Sequence, residues 1–397
     1  MKIISCAGFG CTGSSIVTDF FREFSNVYSV GGNGLEFFLL HEPDGIKDLE
    51  NALVEGHRFK VDFAIKRFKK LIENLNYHNP SGPNYKEFFN GKFLKITNEY
   101  LDSLGIIEWQ EGFWHRIFEG NENKVYRFIK NLRFQKHVEK YYSLYEPDDW
   151  KPMYTGYATQ YYCNITREDF ILKTKTYLIK LFSEIKTDAE YLLFDQLFPP
   201  AATEYMDYFD NAKAIVVERD PRDLYFANKV FWGCGFIPFK DIDTFIGWFK
   251  NTRNTIKESE NVCLVKFEDF LYETEKTTKK IINFIGIDQK YHNKTNTFFF
   301  PEKSITNTQL YRKYVLENTS IQNRMLSNIN MIETNLKEYL YDFDSKAAGA
   351  IEIETKIQKF IYEQEYENIK KENIFFSIFF DIPSICIYIL NKIKRMF

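Results

Sequence analysis

The feature that most constrains this chain is an apolar strand that runs straight into a glycine-rich loop and then into a helix. Lys2-Ile3-Ile4-Ser5-Cys6-Ala7 is followed by Gly8-Phe9-Gly10-Cys11-Thr12-Gly13-Ser14-Ser15, after which Ile16, Val17, Phe20, Phe21 and Phe24 recur at helical spacing. Gly8, Gly10 and Gly13 let several backbone N–H groups converge, and the following helix presents its positive end, so the loop reads as an anion site. Its Gly-x-x-x-x-Gly spacing is that of a nucleotide phosphate loop. Ser14-Ser15, however, stands where kinases and ATPases carry Lys-Ser/Thr. In those enzymes the lysine reaches the β- and γ-phosphates and the hydroxyl holds magnesium. Here only hydroxyls are offered, and the alternative is a glycine-rich turn with no ligand.

Two further segments stand in order downstream. Ala212 to Val217 reads as a buried parallel strand that enters Glu218-Arg219-Asp220-Pro221-Arg222-Asp223 and then a helical stretch, Leu224 to Trp232, with Pro221 suited to its first turn. Asn261 to Phe267 is another strand, followed by Glu268-Asp269-Phe270 and an amphipathic helix carrying Ile281, Ile282 and Phe284 that stops at Gly286.

Taken together, Gly8 to Ser15, Arg219-Asp220-Pro221-Arg222-Asp223, Phe267-Glu268-Asp269-Phe270 and Phe284-Ile285-Gly286 resemble the sulfotransferase family, over residues 1 to about 290. That family uses 3′-phosphoadenosine 5′-phosphosulfate (PAPS) as donor. The resemblance implies an α/β, P-loop-like three-layer fold with a central parallel sheet flanked by helices. It also implies that Gly8, Gly10, Cys11, Thr12, Gly13, Ser14 and Ser15 bind the 5′-phosphosulfate and that Arg219, with Arg222 in the same turn, binds the 3′-phosphate. The family serine that shares the 3′-phosphate is replaced by Ala227, with Asn228 adjacent to take its place. The loop lacks the basic residue that many members carry. Lys303, Ser304 and Asn307, followed by Arg312 and Lys313, form the basic segment expected to fold over the donor and supply that charge.

Sulfuryl transfer needs donor and acceptor oxygens in line with sulfur, neutralisation of the transferring group and a base for the acceptor hydroxyl, with no obligatory metal. Strand ends in a parallel α/β sheet point into the ligand crevice, which directs attention to the segment after the strand Val27 to Gly31. Glu36 lies there among apolar residues, where desolvation favours a carboxylate that takes up a proton. Its position also resembles that of the glutamate base in heparan-type members. His41 is the second candidate base. Against these stand a Glu36 paired with an arginine and a His41-Glu42-Pro43-Asp44-Gly45 segment that is merely a turn. Asp195 and Gln196, at another strand end, could hold acceptor hydroxyls or arginines, or form a plain turn.

With 397 residues the chain has room for a full α/β core plus a helical insertion over about 51–185. Trp109, Trp114, His115, Arg116, Tyr126, Arg127, Arg133, Tyr154, Tyr157, Tyr161 and Tyr162 give that insertion the chemistry of a carbohydrate or glycolipid acceptor site, although most aromatics in a chain that is 18% aromatic belong to the core. A net charge of −3 argues against nucleic acid as a partner. Six cysteines without metal or disulfide spacing point to reduced thiols and a cytoplasmic setting, and a strand beginning at Lys2 leaves no room for a leader. Cys11 reads as a small filler rather than a nucleophile. The Lys, Asn, Ile, Phe and Tyr bias is that of an AT-rich bacterial genome. The sulfotransferase-like domain is expected over 1–343. A helical C-terminal tail, 344–397, ends in an apolar run broken by Asp381 and Pro383 and then Lys392, Lys394 and Arg395, as expected of a membrane-surface or oligomer contact at the inner face of the membrane. The rival readings are another P-loop transferase or kinase, and a non-catalytic nucleotide-binding protein of the same fold.

Overall fold

The computed structural model describes residues 2–32, 36–78, 84–113, 156–233, 235, 237–314 and 319–346. Its strands are β1 (Lys2–Gly8), β2 (Val27–Ser29), β3 (Ile107–Phe113), β4 (Gly156–Tyr162), β5 (Tyr191–Asp195), β6 (Ala212–Glu218) and β7 (Val262–Lys266). The chain divides into two units, Met1–Gly105 with Asn164–Lys356, and Ile106–Cys163 with Ile357–Phe397.

The first unit holds a five-stranded sheet in the order β2-β5-β1-β6-β7, every pairing parallel. This is the α/β architecture with a central parallel sheet flanked by helices. β1 lies at its centre because Ile3 to Ala7 is buried on both faces, the near-continuous apolar run that a doubly covered parallel strand requires. From β1 the chain builds β2 and β5 on one side and then crosses to β6 and β7 on the other, so the C-terminal end of β1 is the topological switch point where a crevice opens.

Helix α1 (Ser15–Arg22) buries Ile16, Val17, Thr18, Phe20 and Phe21. Phe20 meets Phe21, Phe24 and Phe299 edge-on at 5.3, 5.4 and 5.3 Å, within a cluster that also includes Ile4, Val217, Val265 and Phe270. Emptying one such ring position costs about 3–5 kcal/mol, so α1 is held firmly against the sheet and the loop ahead of it has a fixed end. Glu23, 1% exposed, closes the other end of α1. Its Oε1 accepts the N–H groups of Thr297, Phe298 and Phe299 at 2.9, 3.0 and 2.9 Å, while Oε2 lies 2.9 Å from His292 Nε2.

A second cluster, with Phe245, Phe249, Ile329, Ile332 and Leu336, gathers the helices Pro221–Ala227, Ile242–Arg253, Leu310–Tyr314 and Thr319–Asn335. The interval 51–185 is helical where it belongs to the first unit, with Arg58–Tyr77, Tyr85–Phe88, Phe93–Ser103 and Arg167–Phe182. Several of its aromatics there are core, with Tyr100 stacked on Tyr177 at 4.5 Å and Tyr85 on Phe37 at 5.5 Å, whereas Phe59 and Tyr77 are exposed.

In the second unit, β3 and β4 pair antiparallel from Ile107↔Tyr162 to Phe113↔Gly156. This pair adds strand to an interval whose sequence reads as helical, and it carries Trp109, Tyr157, Tyr161 and Tyr162. Trp114, His115, Arg116, Tyr126, Arg127, Arg133 and Tyr154 lie outside the described residues, as does the tail from residue 347 onward. Among the described residues no helix is long and apolar enough to cross a membrane.

Candidate active site

The loop follows β1 without a break. Gly10, Cys11 and Gly13 take positive φ of 81°, 52° and 82°, which turns successive N–H groups to one side. Two glycines are required by close approach. A Cβ on Gly8 would lie 2.3 Å from Thr12 Oγ1, and one on Gly13 would lie 2.6 Å from the Phe267 ring. Thr12 is 1% exposed and its hydroxyl has no partner. Ser14 leads into α1 with no side-chain capping bond, and Ser15 is exposed.

β6 brings the arginine turn beside the loop, since Gly8 pairs with Val217. Arg219, 5% exposed, donates from Nη1 to the Cys11 carbonyl at 2.9 Å and from Nη2 to the Asn307 carbonyl, while its Nε is buried without a partner. Its guanidinium carbon is 5.4 Å from the centroid of Phe267, the same ring that lies under Gly13. The three separated motifs therefore meet at one corner, on Arg219 and Phe267.

Arg222 faces away from that corner. It binds Asp220 through Nε at 3.0 Å and Nη2 at 2.8 Å, Glu333 through Nη1 at 2.9 Å, and the Tyr341 carbonyl through Nη2 at 2.9 Å. Asp220 also caps the helix by accepting Arg222 N–H at 2.8 Å, and accepts Tyr341 N–H at 2.7 Å. Arg222 is thus committed to holding the turn and not to a ligand. Asn228 is fully buried, and its Nδ2 donates to the Leu224 carbonyl at 2.9 Å. Its Oδ1, an acceptor, has no partner, which suits it poorly to an anion.

Buried carboxylates lie behind the arginine turn. Burial, followed by the charge of Asp220, pushes Glu268 up to about 8; its Oε1 accepts Asp220 N–H at 2.9 Å, and Oε2 has no partner. Asp223 is pushed up to about 6 by the same two causes, against the pull of Arg219 and of the Gln309 N–H at 2.6 Å.

The expected basic cover is only partly in place. Asn307 contributes its carbonyl to Arg219. Lys303 is exposed and lies over the Phe300 ring at 4.1 Å, beside a half-buried Ser304. Arg312 is taken up by Gln309 at 3.2 Å, Asp344 at 2.8 Å and the Tyr311 hydroxyl at 3.1 Å; the side chain of Lys313 lies outside the described residues. A cation that sequence reasoning missed is closer: Arg253, 5% exposed, places its guanidinium carbon 3.9 Å from the Phe9 ring of the loop and 3.8 Å from Phe249. Glu218 faces it at 3.4 Å, and burial pulls Arg253 down to about 10. Nothing in the sequence marks this contact, because the partners are 244 residues apart and the link is a ring face.

On the other side of β1 lie the candidate bases. Glu36 forms a parallel bridge with Asp195, so the two carboxyl-bearing residues sit side by side at the end of β5. Glu36 is half-buried, and no arginine pairs with it among the described residues. Asp195 accepts the buried Cys6 thiol at 2.9 Å; burial and the Glu36 charge raise its proton affinity above the ordinary range. His41 Nε2 is 2.8 Å from the Gln196 carbonyl. A carbonyl only accepts, so Nε2 carries the proton and only Nδ1 could act as a base. Gln196, at a φ of +49°, reaches across the loop: its Oε1 accepts Gly8 N–H at 3.2 Å and its Nε2 donates to Ser14 Oγ at 3.0 Å.

No protein-family model and no curated protein matches the chain. Solved structures with which it shares similarity include two sulfotransferases and a retinol dehydratase. A sulfotransferase of Mycobacterium avium is 11% identical over 78% of this chain and 68% of that one, with a TM-score of 0.30. A retinol dehydratase crystallised with androsterone and the inactive cofactor PAP is 13% identical over 86% and 81%, with a TM-score of 0.28. A sulfotransferase of Mycobacterium tuberculosis H37Rv is 13% identical over 77% and 76%, with a TM-score of 0.26.

Proposed function

We propose that this chain is a PAPS-dependent sulfotransferase that moves a sulfuryl group to a hydroxyl of a carbohydrate, either a surface polysaccharide or a glycolipid. The observation that carries the reading is the meeting of loop, arginine turn and Phe267 segment on Arg219, where a buried cation touches a lysine-free anion loop. Thr12 Oγ1 and Arg219 Nε, both buried donors without partners, fit an anionic donor molecule at this corner. In this reading Gly8 to Ser15 hold the 5′-phosphosulfate and Arg219 the 3′-phosphate. PAPS supplies an activated sulfuryl group.

The chain's own residues then do three things. Loop N–H groups and the Ser14 hydroxyl meet negative charge at the helix start. Arg219 anchors the leaving bisphosphate by its 3′-phosphate, and Arg253, stacked on Phe9 of the loop, adds positive charge behind the 5′ end. Glu36 takes the proton of the acceptor hydroxyl as its oxygen forms the new bond to sulfur; the sulfur–oxygen bond to phosphate breaks, and its electron pair leaves with the phosphate.

Titration calorimetry with adenosine 3′,5′-bisphosphate, and with ATP and magnesium, tests the donor site. Bisphosphate binding that Arg219→Ala weakens is the expected result; magnesium-dependent ATP binding alone would instead favour another P-loop transferase or kinase. Labelled-sulfate transfer to cell-derived glycans and glycolipids then identifies the acceptor. We further place the enzyme in the cytoplasm at the inner face of the membrane, on the strength of the apolar and basic sequence after residue 374. Removing 374–397 should release it from the membrane fraction.

A further inference from the structure

The loop's missing lysine leaves Ser14 as a main side-chain donor at the mouth of α1, and a hydroxyl is useful there only if its hydrogen points outward. We infer that Gln196 is a positioning residue that sets this direction. The inference rests on the donor-site reading above.

The geometry is directional at each step. Gln196 Oε1 accepts the Gly8 N–H at 3.2 Å, which fixes the carboxamide so that Nε2, which can only donate, faces Ser14 Oγ at 3.0 Å. A serine oxygen that accepts this bond keeps its own hydrogen for another partner. That partner is not the helix, because the Ser14 side chain makes no capping bond. The hydrogen is therefore left for an anion seated on the loop.

The backbone of Gln196 is held with equal care. Its N–H donates to the Cys6 carbonyl at 2.9 Å, and its carbonyl accepts His41 Nε2–H at 2.8 Å. It stands at a φ of +49°, a conformation that glycine adopts freely and a side chain does not. The two side-chain bonds, to Gly8 and to Ser14, stand against that backbone cost. Through His41 the same residue also ties the donor loop to the segment after β2.

The test is a double-mutant cycle on the full-length chain with Ser14→Ala, Gln196→Gly and the pair, read by calorimetric affinity for adenosine 3′,5′-bisphosphate and for inorganic pyrophosphate. Gln196→Gly removes the side chain while relaxing the backbone, so the variant keeps its fold. Each single change is expected to weaken anion binding about tenfold, and the second change should add less than about twofold once the first is made. Gln196→Glu keeps the bond to Gly8 but accepts from Ser14 and turns its hydrogen inward; it should lose at least about tenfold in affinity with an unaltered melting temperature. Additive single effects, or a Gln196→Glu protein that binds as the parent does, would overturn the inference. A parent that binds pyrophosphate but not the bisphosphate defeats the PAPS reading and leaves the cycle valid with pyrophosphate; a parent that binds neither overturns both.

Discussion

Two glutamates of this protein are almost equally hidden from water, 1% exposed for Glu23 and 0% for Glu268, yet their surroundings treat charge in opposite ways. At Glu23 burial alone would raise the carboxyl, but the N–H groups of Phe299, Phe298 and Thr297 and the His292 ring outweigh it and hold the group below its ordinary range. At Glu268 burial wins, helped by Asp220, and the group sits near 8 with one oxygen unpartnered. The difference separates a finished structural latch from an unfinished site. At Glu23 both carboxylate oxygens are partnered, whereas around the arginine turn Thr12, Arg219, Asn228 and Glu268 each retain an unused polar atom. Native interiors rarely tolerate such leftovers without a purpose, and here Thr12 and Arg219 carry theirs in the anion loop and on the residue bonded to it.

The contrast can be broken most forcefully at the latch. Glu23→Ala strips three N–H groups and His292 of their acceptor and should cost about 3–5 kcal/mol in denaturant unfolding, while leaving bisphosphate affinity intact. A loss below about 1 kcal/mol would mean that the latch is not the finished structure it looks like. The corner should respond to pH with the opposite sign. Glu268 and Asp223, raised to about 8 and about 6, stay protonated in the folded chain where the unfolded chain has released its protons. Their stabilisation is complete below the unfolded carboxylate range and declines as pH rises, to about 6 for Asp223 and on to about 8 for Glu268, by up to about 1.4 kcal/mol per pH unit for each proton. Glu268→Gln keeps the acceptor for Asp220 N–H and should flatten that decline, so that it melts above the parent at pH 8. Glu23 runs the other way, and its contribution disappears as pH falls through its lowered value.

Smaller effects sharpen the site itself. Arg219→Ala should weaken adenosine 3′,5′-bisphosphate by about 10- to 100-fold, the range of a charge-assisted contact, and unchanged affinity in calorimetry would remove the donor-site assignment. Lys303→Ala should change that affinity by less than about twofold, because the lysine is exposed and already lies on Phe300. A tenfold loss would instead restore the basic cover that the sequence leads one to expect.

The sheet, the loop and the arginine turn were legible in the sequence because each is local: an apolar run, glycines at fixed spacing and a Pro at a helix start. The partners of the arginines were not. Arg219 and Arg222 sit three residues apart in one motif, yet a helical turn sends one to Cys11 and the other to Glu333 and Tyr341. Gln196 drew notice as a strand-end residue, but its grip on Gly8 and Ser14 spans more than 180 positions. Arg253 left no mark at all, since stacking on Phe9 follows no spacing rule.

The place of β1 between β5 and β6 has a kinetic consequence. The strand that carries the loop bonds to segments roughly 190 and 210 residues further along the chain, as in Ile3↔Leu192 and Ile3↔Ala212. During synthesis it must wait, with Ile3, Ile4, Cys6 and Ala7 uncovered, until both neighbours have left the ribosome. At about 5–20 residues per second that interval lasts on the order of ten to forty seconds, long enough for chaperone capture or aggregation to compete with folding.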